Sequence, residues 1–182
     1  MMKTYVRAVV KDRFGRVIKD TGWKKTNTIT RWFYALLDTH MRQSGYYEIT
    51  FESGDANTAN LDTKNWGAVG PEGNTGEHIV VGTGTTSPTR TDYKLESKIP
   101  HGTGTGQLIY KAGETIIGDD YIELRRTFEN QSGNDITINE VGILVHCVAA
   151  DGVDKRVLIA RSLFTLTIPN TALATIYYRI SG

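Results

Sequence analysis

From residue 79 to the end, the chain consists of short apolar runs separated by turn-forming residues, and this pattern constrains its fold more than any other feature. Ile79 to Val81 makes one run, the segment from Gln107 to Ile117 another, and Tyr121, Ile122, Leu124 and Phe128 mark a longer one. Val157 to Ile168 and Leu173 to Ile180 complete the set. Apolar residues recurring with a period of two describe strands with one buried face. Strands that follow strands every ~8 to 20 residues, with one early helix, favour an antiparallel sandwich over alternating strands and helices. The expected fold is mainly β: an antiparallel β-sandwich with an N-terminal β-hairpin and one amphipathic helix. A single domain spans residues 1–182, with hairpin plus helix at 1–45, a long loop at 53–76 and the main strands at 77–182.

Two local features refine this expectation. In DITINEVGILVHC the apolar residues sit at 136 and 138 and then at 141, 143 and 145, so the phase slips at Asn139-Glu140. A β-bulge does this to an alternating pattern. The last two strands, joined by Pro169-Asn170-Thr171, read as a hairpin.

At the other end, Tyr5, Val6, Val9 and Val10 precede the turn Asp12-Arg13-Phe14-Gly15, and Val17 and Ile18 follow it. Gly15 supplies the positive φ that such a loop requires. Trp23 closes the second strand, and Asn27 or Thr28 offers a side-chain oxygen to cap a helix. Ile29, Trp32, Phe33, Leu36, Leu37 and Met41 then follow helical spacing, with Gly45 placed to end the helix. Such a stripe packs on a sheet.

Residues 53–76, SGDANTANLDTKNWGAVGPEGNTG, are polar and have no period. Loops longer than ~15 residues are uncommon in compact domains and are usually functional or disordered. A neighbouring subunit is the expected holder of this one.

The charge balance, 21 Lys+Arg against 20 Asp+Glu, gives the whole chain no pull on nucleic acid or acidic lipid. Lys3 and Arg7 interrupt the early apolar stretch, so it makes a poor secretory signal, and no run approaches membrane-spanning length. Synthesis in a cytoplasm is expected. Cys147, the sole cysteine, ends an apolar strand and reads as a buried structural thiol.

Motifs that bear chemistry are weak. GTGTTSP at 82–88 and HGTGTG at 101–106 resemble phosphate cradles, but neither ends in Gly-Lys-Ser/Thr, and both read as wide turns. His40, His78, His101 and His146 lack metal-ligand spacing and read as surface or partly packed residues. Asp119 and Asp120 shape the turn before Tyr121. Glu123 with Glu140 is a conceivable glycosidase pair that nothing in the sequence selects. Arg125, Arg126, Arg161 and Arg179 read as strand-face charges or salt-bridge partners between subunits. No catalytic residue, metal or cofactor is expected.

The arrangement of pieces nevertheless has a likeness. The N-terminal hairpin, a helix opening with Asn-Thr, IVVGTGTTSPTRTDYKLESKI at 79–99, RTFENQSGNDITINEVGILV at 126–145 and LIARSLFTLTIPNTALATIYYRI at 158–180 together resemble structural proteins of tailed bacteriophages. The resemblance spans roughly two-thirds of the chain. It implies a β-sandwich virion component and no catalytic residues. Within its motifs, Asp92 and Asn139 are expected to fix the loops they stand in, and Glu140 to turn inward toward Arg161 or another basic partner. Gly142 is expected to admit a close neighbour, while Leu95 and Ile99 plug their segment onto the core.

The expected function is a non-enzymatic virion protein assembling in symmetric copies on the tail or as a capsid decoration. Its partners would be other copies and other virion proteins, with no nucleic acid and no membrane. A host-glycan-binding adhesin module is the alternative. Tyr46, Tyr47, Trp66, Tyr177 and Tyr178 are the expected interface residues, because aromatic side chains make better anchors than charged ones.

Overall fold

The computed structural model describes residues 2–26, 28–42, 48–58 and 67–182. The chain opens with β1 (Lys3–Lys11), β2 (Val17–Asp20) and β3 (Lys24–Thr26), followed by α1 (Arg31–Arg42) and a small pair, β4 (Glu48–Thr50) and β5 (Ala56–Thr58). It continues through β6 (His78–Gly82), β7 (Ile109–Ile117), β8 (Tyr121–Glu129), β9 (Ile136–Val148), β10 (Asp154–Ile168) and β11 (Leu173–Ser181). The protein is mainly β, with antiparallel strand pairing in each of its sheets.

The N-terminal hairpin forms where its turn residues place it. Gly15 adopts φ 81°, the left-handed region that costs glycine little. One carboxylate oxygen of Asp12 accepts from the amides of Phe14 and Arg16, which fixes the turn.

The larger sheet runs β2-β1-β11-β8-β7, with β3 also beside β1, and the smaller runs β10-β9-β6. Alternate residues of the larger sheet, among them Val6, Ala8, Val10, Phe128, Ile176 and Tyr178, join one core with Ile138, Val141, Ile143, Phe164 and Leu166 of the smaller. Each of the valine, isoleucine, leucine and phenylalanine side chains, fully buried, contributes about 1.5–3 kcal/mol. A polar bond also crosses the core, where the hydroxyls of Tyr178 and Ser162 lie 3.1 Å apart.

The final two strands are not a hairpin. β10 belongs to the smaller sheet and β11 to the larger, so Pro169-Asn170-Thr171 carries the chain from one layer to the other. Asn130, fully buried, holds this crossing: its side-chain Nδ2 donates to Ile168 O, and its backbone carbonyl accepts from Thr171 N. A short connector between two apolar runs has the same pattern in sequence whether it folds back or crosses over.

The helix begins two residues later than its spacing suggests. Thr28 O accepts from Arg161 N, and Thr30 N donates to Ile159 O, so this stretch adds to the edge of β10 before the chain coils. Trp32 and Leu36 are buried as expected, whereas Met41 is 75% exposed. Asn27 and Gly45 lie outside the described residues.

Around Asn139 the β9–β10 ladder shifts register as the phase slip implies. Glu140 pairs with Leu163 and Ile138 with Leu166, so two residues of β10 stand against Asn139 alone. The extra residue is on β10, and the pattern of β9 records its effect.

The described part of segment 53–76 is tied to its own chain at several points. Residues 56–58 pair with β4, Gly67 bridges to His146, and Gly73 N donates to Tyr110 O. Arg126, only 1% exposed, donates to the carbonyls of Pro71, Glu77, Ile79 and Lys111 and lies 5.0 Å from the centre of the Tyr110 ring. Burial lowers its pKa to about 10. A guanidinium with five donors thus ties Pro71 of this segment to the start of β6 and to β7.

His78 is a correction to the surface reading. It is wholly buried at φ 67°, with its Nε2 bonded to Glu114 O and its ring fitted against Gly70 and Gly113.

Candidate protein interface

The outward residues of the larger sheet fall into rows set by strand register. Tyr5 of β1 faces Arg179 of β11, which faces Glu123 of β8; one step along, Arg7 faces Tyr177, which faces Arg125. Cross-strand neighbours stand close enough for long side chains to touch. The result is an interlocked patch of rings and guanidinium groups.

The Arg179 guanidinium lies 4.3 Å from the Trp23 ring centre and 4.0 Å from that of Tyr121. Arg125 and Arg7 approach the Tyr177 ring at 5.4 and 5.9 Å, and Trp23 meets Tyr177 edge-on at 6.3 Å. Glu123 anchors the set: it accepts from Arg179 at 2.7 Å and from Arg125 at 2.6 Å while itself only 2% exposed. Burial opposes ionisation of Glu123, but these hydrogen bonds outweigh it and hold the carboxyl below its ordinary range. Asp20 does the same for Arg7, and that bond together with the Gly22 amide brings the Asp20 carboxyl down to about 2.

Trp, Tyr and Arg dominate the energetic centres of protein interfaces. Here they are fixed in place before any partner arrives, which lowers the entropy lost on binding. Beside them, Tyr5, Trp23, Asp120, Tyr121, Arg179 and Ser181 line a depression of about 280 Å³.

Of the five residues expected at an interface, Tyr177 lies in this patch. Tyr178 does not: it is fully buried, so its side chain belongs to the core. Tyr46, Tyr47 and Trp66 lie outside the described residues. Sequence reasoning missed Trp23, Tyr121 and the grouping of Arg7, Arg125 and Arg179. Odd-numbered positions of β1, β8 and β11 share one face, a signal that was present, but uniting them requires knowing that β11 lies between β1 and β8.

The four strand arginines divide between two environments. Arg125 and Arg179 face outward, while Arg126 and Arg161 are buried. Arg161 donates to Glu140 at 2.8 Å and to Asp92 at 2.7 Å. Glu140, wholly buried, also accepts from the amides of Gly84, Glu96 and Ser97. Glu96 in turn accepts from the amides of Thr85 and Thr86. The Gly-Thr segment is therefore an anion cradle whose anions are the chain's own carboxylates. Leu95 and Ile99 bury their side chains beneath it, and Leu95 covers Gly142, where a β-carbon would come within 2.8 Å of it.

Glu123 and Glu140 serve different faces and are each saturated by internal donors, so they do not form a hydrolytic pair. Cys147 is buried, and burial raises its thiol to about pKa 11, as a structural thiol requires. Among the described residues, no three His, Cys, Asp or Glu side chains gather as a metal site. No described helix is long and apolar enough to cross a membrane.

No protein-family model, no curated protein and no solved structure matches this chain.

Proposed function

We propose that this chain is a non-enzymatic structural subunit of a tailed-phage virion, assembling in symmetric copies on the tail or capsid surface. The observation that carries the reading is the preordered Trp23–Arg179–Tyr121 and Arg7–Tyr177–Arg125 patch on the open face of the larger sheet. Its composition suits a protein partner, and its internal ion pairs and ring contacts hold the side chains in one arrangement suited to permanent contacts. The likeness of its sequence motifs to phage structural proteins supplies the setting. Imaging a native particle at a resolution that traces this chain tests the proposal. The expected result is repeated copies with Tyr177 and Trp23 covered by another protein chain, and a chain absent from the particle sinks it.

One observation favours a second reading as a glycan-binding module. The depression beside Trp23 combines three aromatic rings with Asp120 and Arg179, a lining that can stack on a sugar and bond its hydroxyls. Titration of host-surface oligosaccharides against Trp23 fluorescence, with Trp23→Ala as control, decides it.

A further inference from the structure

The charges of this nearly neutral chain are sorted along the larger sheet. Residues 1–25 contain eight lysines and arginines against Asp12 and Asp20, a surplus of six. Residues 112–124 contain Glu114, Asp119, Asp120 and Glu123 and no lysine or arginine. The first group builds one edge of the sheet, along β2 and β3, and the second builds the β7–β8 turn at the other edge.

Each place also exposes apolar surface. At the β1–β2 turn, Phe14 is 69% exposed, and Val17 and Ile18 are at least half exposed; Lys11, Arg13 and Lys19 are exposed around them. Asp12 and Asp20 are occupied with Arg16 and Arg7. At the β7–β8 turn Ile117 is 81% exposed, Ile122 is exposed beside it, and Glu114, Asp119 and Asp120 are exposed around them. An apolar centre with a basic rim thus has its counterpart in an apolar centre with an acidic rim. Complementary potentials of this kind steer and register association.

Register places the two at diagonal corners. Lys11 shares its end of the sheet with Leu173 and Glu129, whereas the β7–β8 turn lies at the opposite end, where Lys3 pairs with Ser181 and Ser181 with Tyr121. We infer that the Lys11–Asp20 turn of one copy seats on the Glu114–Ile122 segment of the next. Because the corners face opposite ways, the contact is head-to-tail, and it closes into a ring or runs on as a filament. The inference rests on the assembly reading above and names the surface that joins like copies; Asp120 and Tyr121 border both surfaces, and Trp23 and Tyr177 are left for another chain. Charged residues on an edge strand can also serve only to prevent pairing, and the experiment separates the two roles.

The test uses the whole chain and two charge reversals, R13E/K19E and D119K/D120K, compared by light scattering at low salt, with circular dichroism confirming the fold. All four positions are exposed, and the milder R13Q/K19Q and D119N/D120N pairs replace any variant that fails to fold. Wild type should associate, and more weakly as salt is added. Each reversed variant alone should associate about tenfold or more weakly, and an equimolar mixture of the two should recover association, because each then offers the charge the other lacks. If the variants associate as wild type does, or their mixture gains nothing, this contact is wrong while assembly itself stands. Wild type that remains single at every concentration and salt overturns the assembly reading and this contact together.

Discussion

Arg161 donates through Nε to the carboxylate of Glu140 at 2.8 Å, in a site where Glu140 is wholly buried and Arg161 is 3% exposed. The pair joins β9 to β10 and, through the amides of Gly84, Glu96 and Ser97, fastens the 82–99 segment over the smaller sheet. A buried pair is not stabilising merely by being a pair, since desolvation offsets its attraction. Removing one partner is another matter.

Glu140→Ala takes from Arg161 one of its carboxylate partners, Asp92 remaining, and leaves three amides without their acceptor; it should destabilise the fold by about 3 kcal/mol, measured by urea unfolding. Glu140→Gln keeps acceptor atoms in place and should lose less. A loss below ~1 kcal/mol for Glu140→Ala would show that the segment does not depend on this carboxylate.

Gly82 and Gly84 are predicted to be intolerant of alanine for the same reason. A β-carbon on Gly84 would stand 2.5 Å from Glu140 Oε1, and one on Gly82 would come 2.5 Å from the backbone oxygen of Ser97. Neither neighbour can retreat without breaking the cradle. Gly84→Ala should cost about 1–3 kcal/mol in the same unfolding measurement. Gly133→Ala, with open space around it, isolates the cost of a positive φ alone.

Stability should depend on pH through His78. Burial, reinforced by the nearby Arg126 charge, lowers its pKa from 6.5 to about 4, against a bond to Glu114 O that raises it. The unfolded chain therefore takes up a proton below pH 6.5 that the folded chain refuses until about pH 4. Stability from this residue is full above pH 6.5 and falls as pH drops toward 4, by about 3 kcal/mol in total. His78→Asn tolerates the positive φ and cannot titrate, so unfolding curves between pH 7 and 4 should be flatter for this variant than for wild type. Equal slopes would remove His78 as the cause. Below that window, Asp20, with its pKa near 2, and the lowered Glu123 and Asp92 continue the loss as they protonate.

How much of this was legible in the sequence depended on the range of the interaction. Strand positions, the N-terminal hairpin, the plugs at Leu95 and Ile99 and the turn of Glu140 toward Arg161 follow from period and local residue type. The layer change at Pro169–Thr171 does not, because Ile168 and Leu173 present the same alternation whichever sheet receives them. Nor does the burial of His78, whose slot is made by Gly70 and Gly113 from distant segments. The same holds for the aromatic patch: Trp23, Tyr121 and Tyr177 are remote in the chain and meet only because β11 lies between β1 and β8. Tyr177 was identifiable from sequence as one of two neighbouring tyrosines, and only strand orientation separates it from Tyr178.

Thr171 offers a stabilising change. Its φ of 67° is strained for a β-branched residue, and its side chain is exposed. Thr171→Gly relieves the strain but frees the unfolded chain, whereas Thr171→Asn relieves it with less entropy lost on folding. The asparagine variant should raise stability by about 0.5–1 kcal/mol, seen as a higher melting temperature. An unchanged or lower melting temperature would mean that the crossing from β10 to β11 holds threonine without strain.

Tyr177 and Tyr178 make the sharpest contrast, being adjacent in sequence and opposite in environment. Tyr178→Ala empties a fully buried site beside Ser162 and should cost about 3–5 kcal/mol. Tyr178→Phe removes only the hydroxyl and should cost about 1 kcal/mol. Tyr177→Ala opens no core cavity; it removes the ring that Arg7, Arg125 and Trp23 contact, at a cost of about 1 kcal/mol or less. If the outer face is an interface, Tyr177→Ala should nonetheless reduce incorporation of the chain into particles far more than its stability loss explains. Measuring both quantities for both variants separates a folding defect from a docking defect. Incorporation that tracks stability alone would leave the aromatic face without a partner.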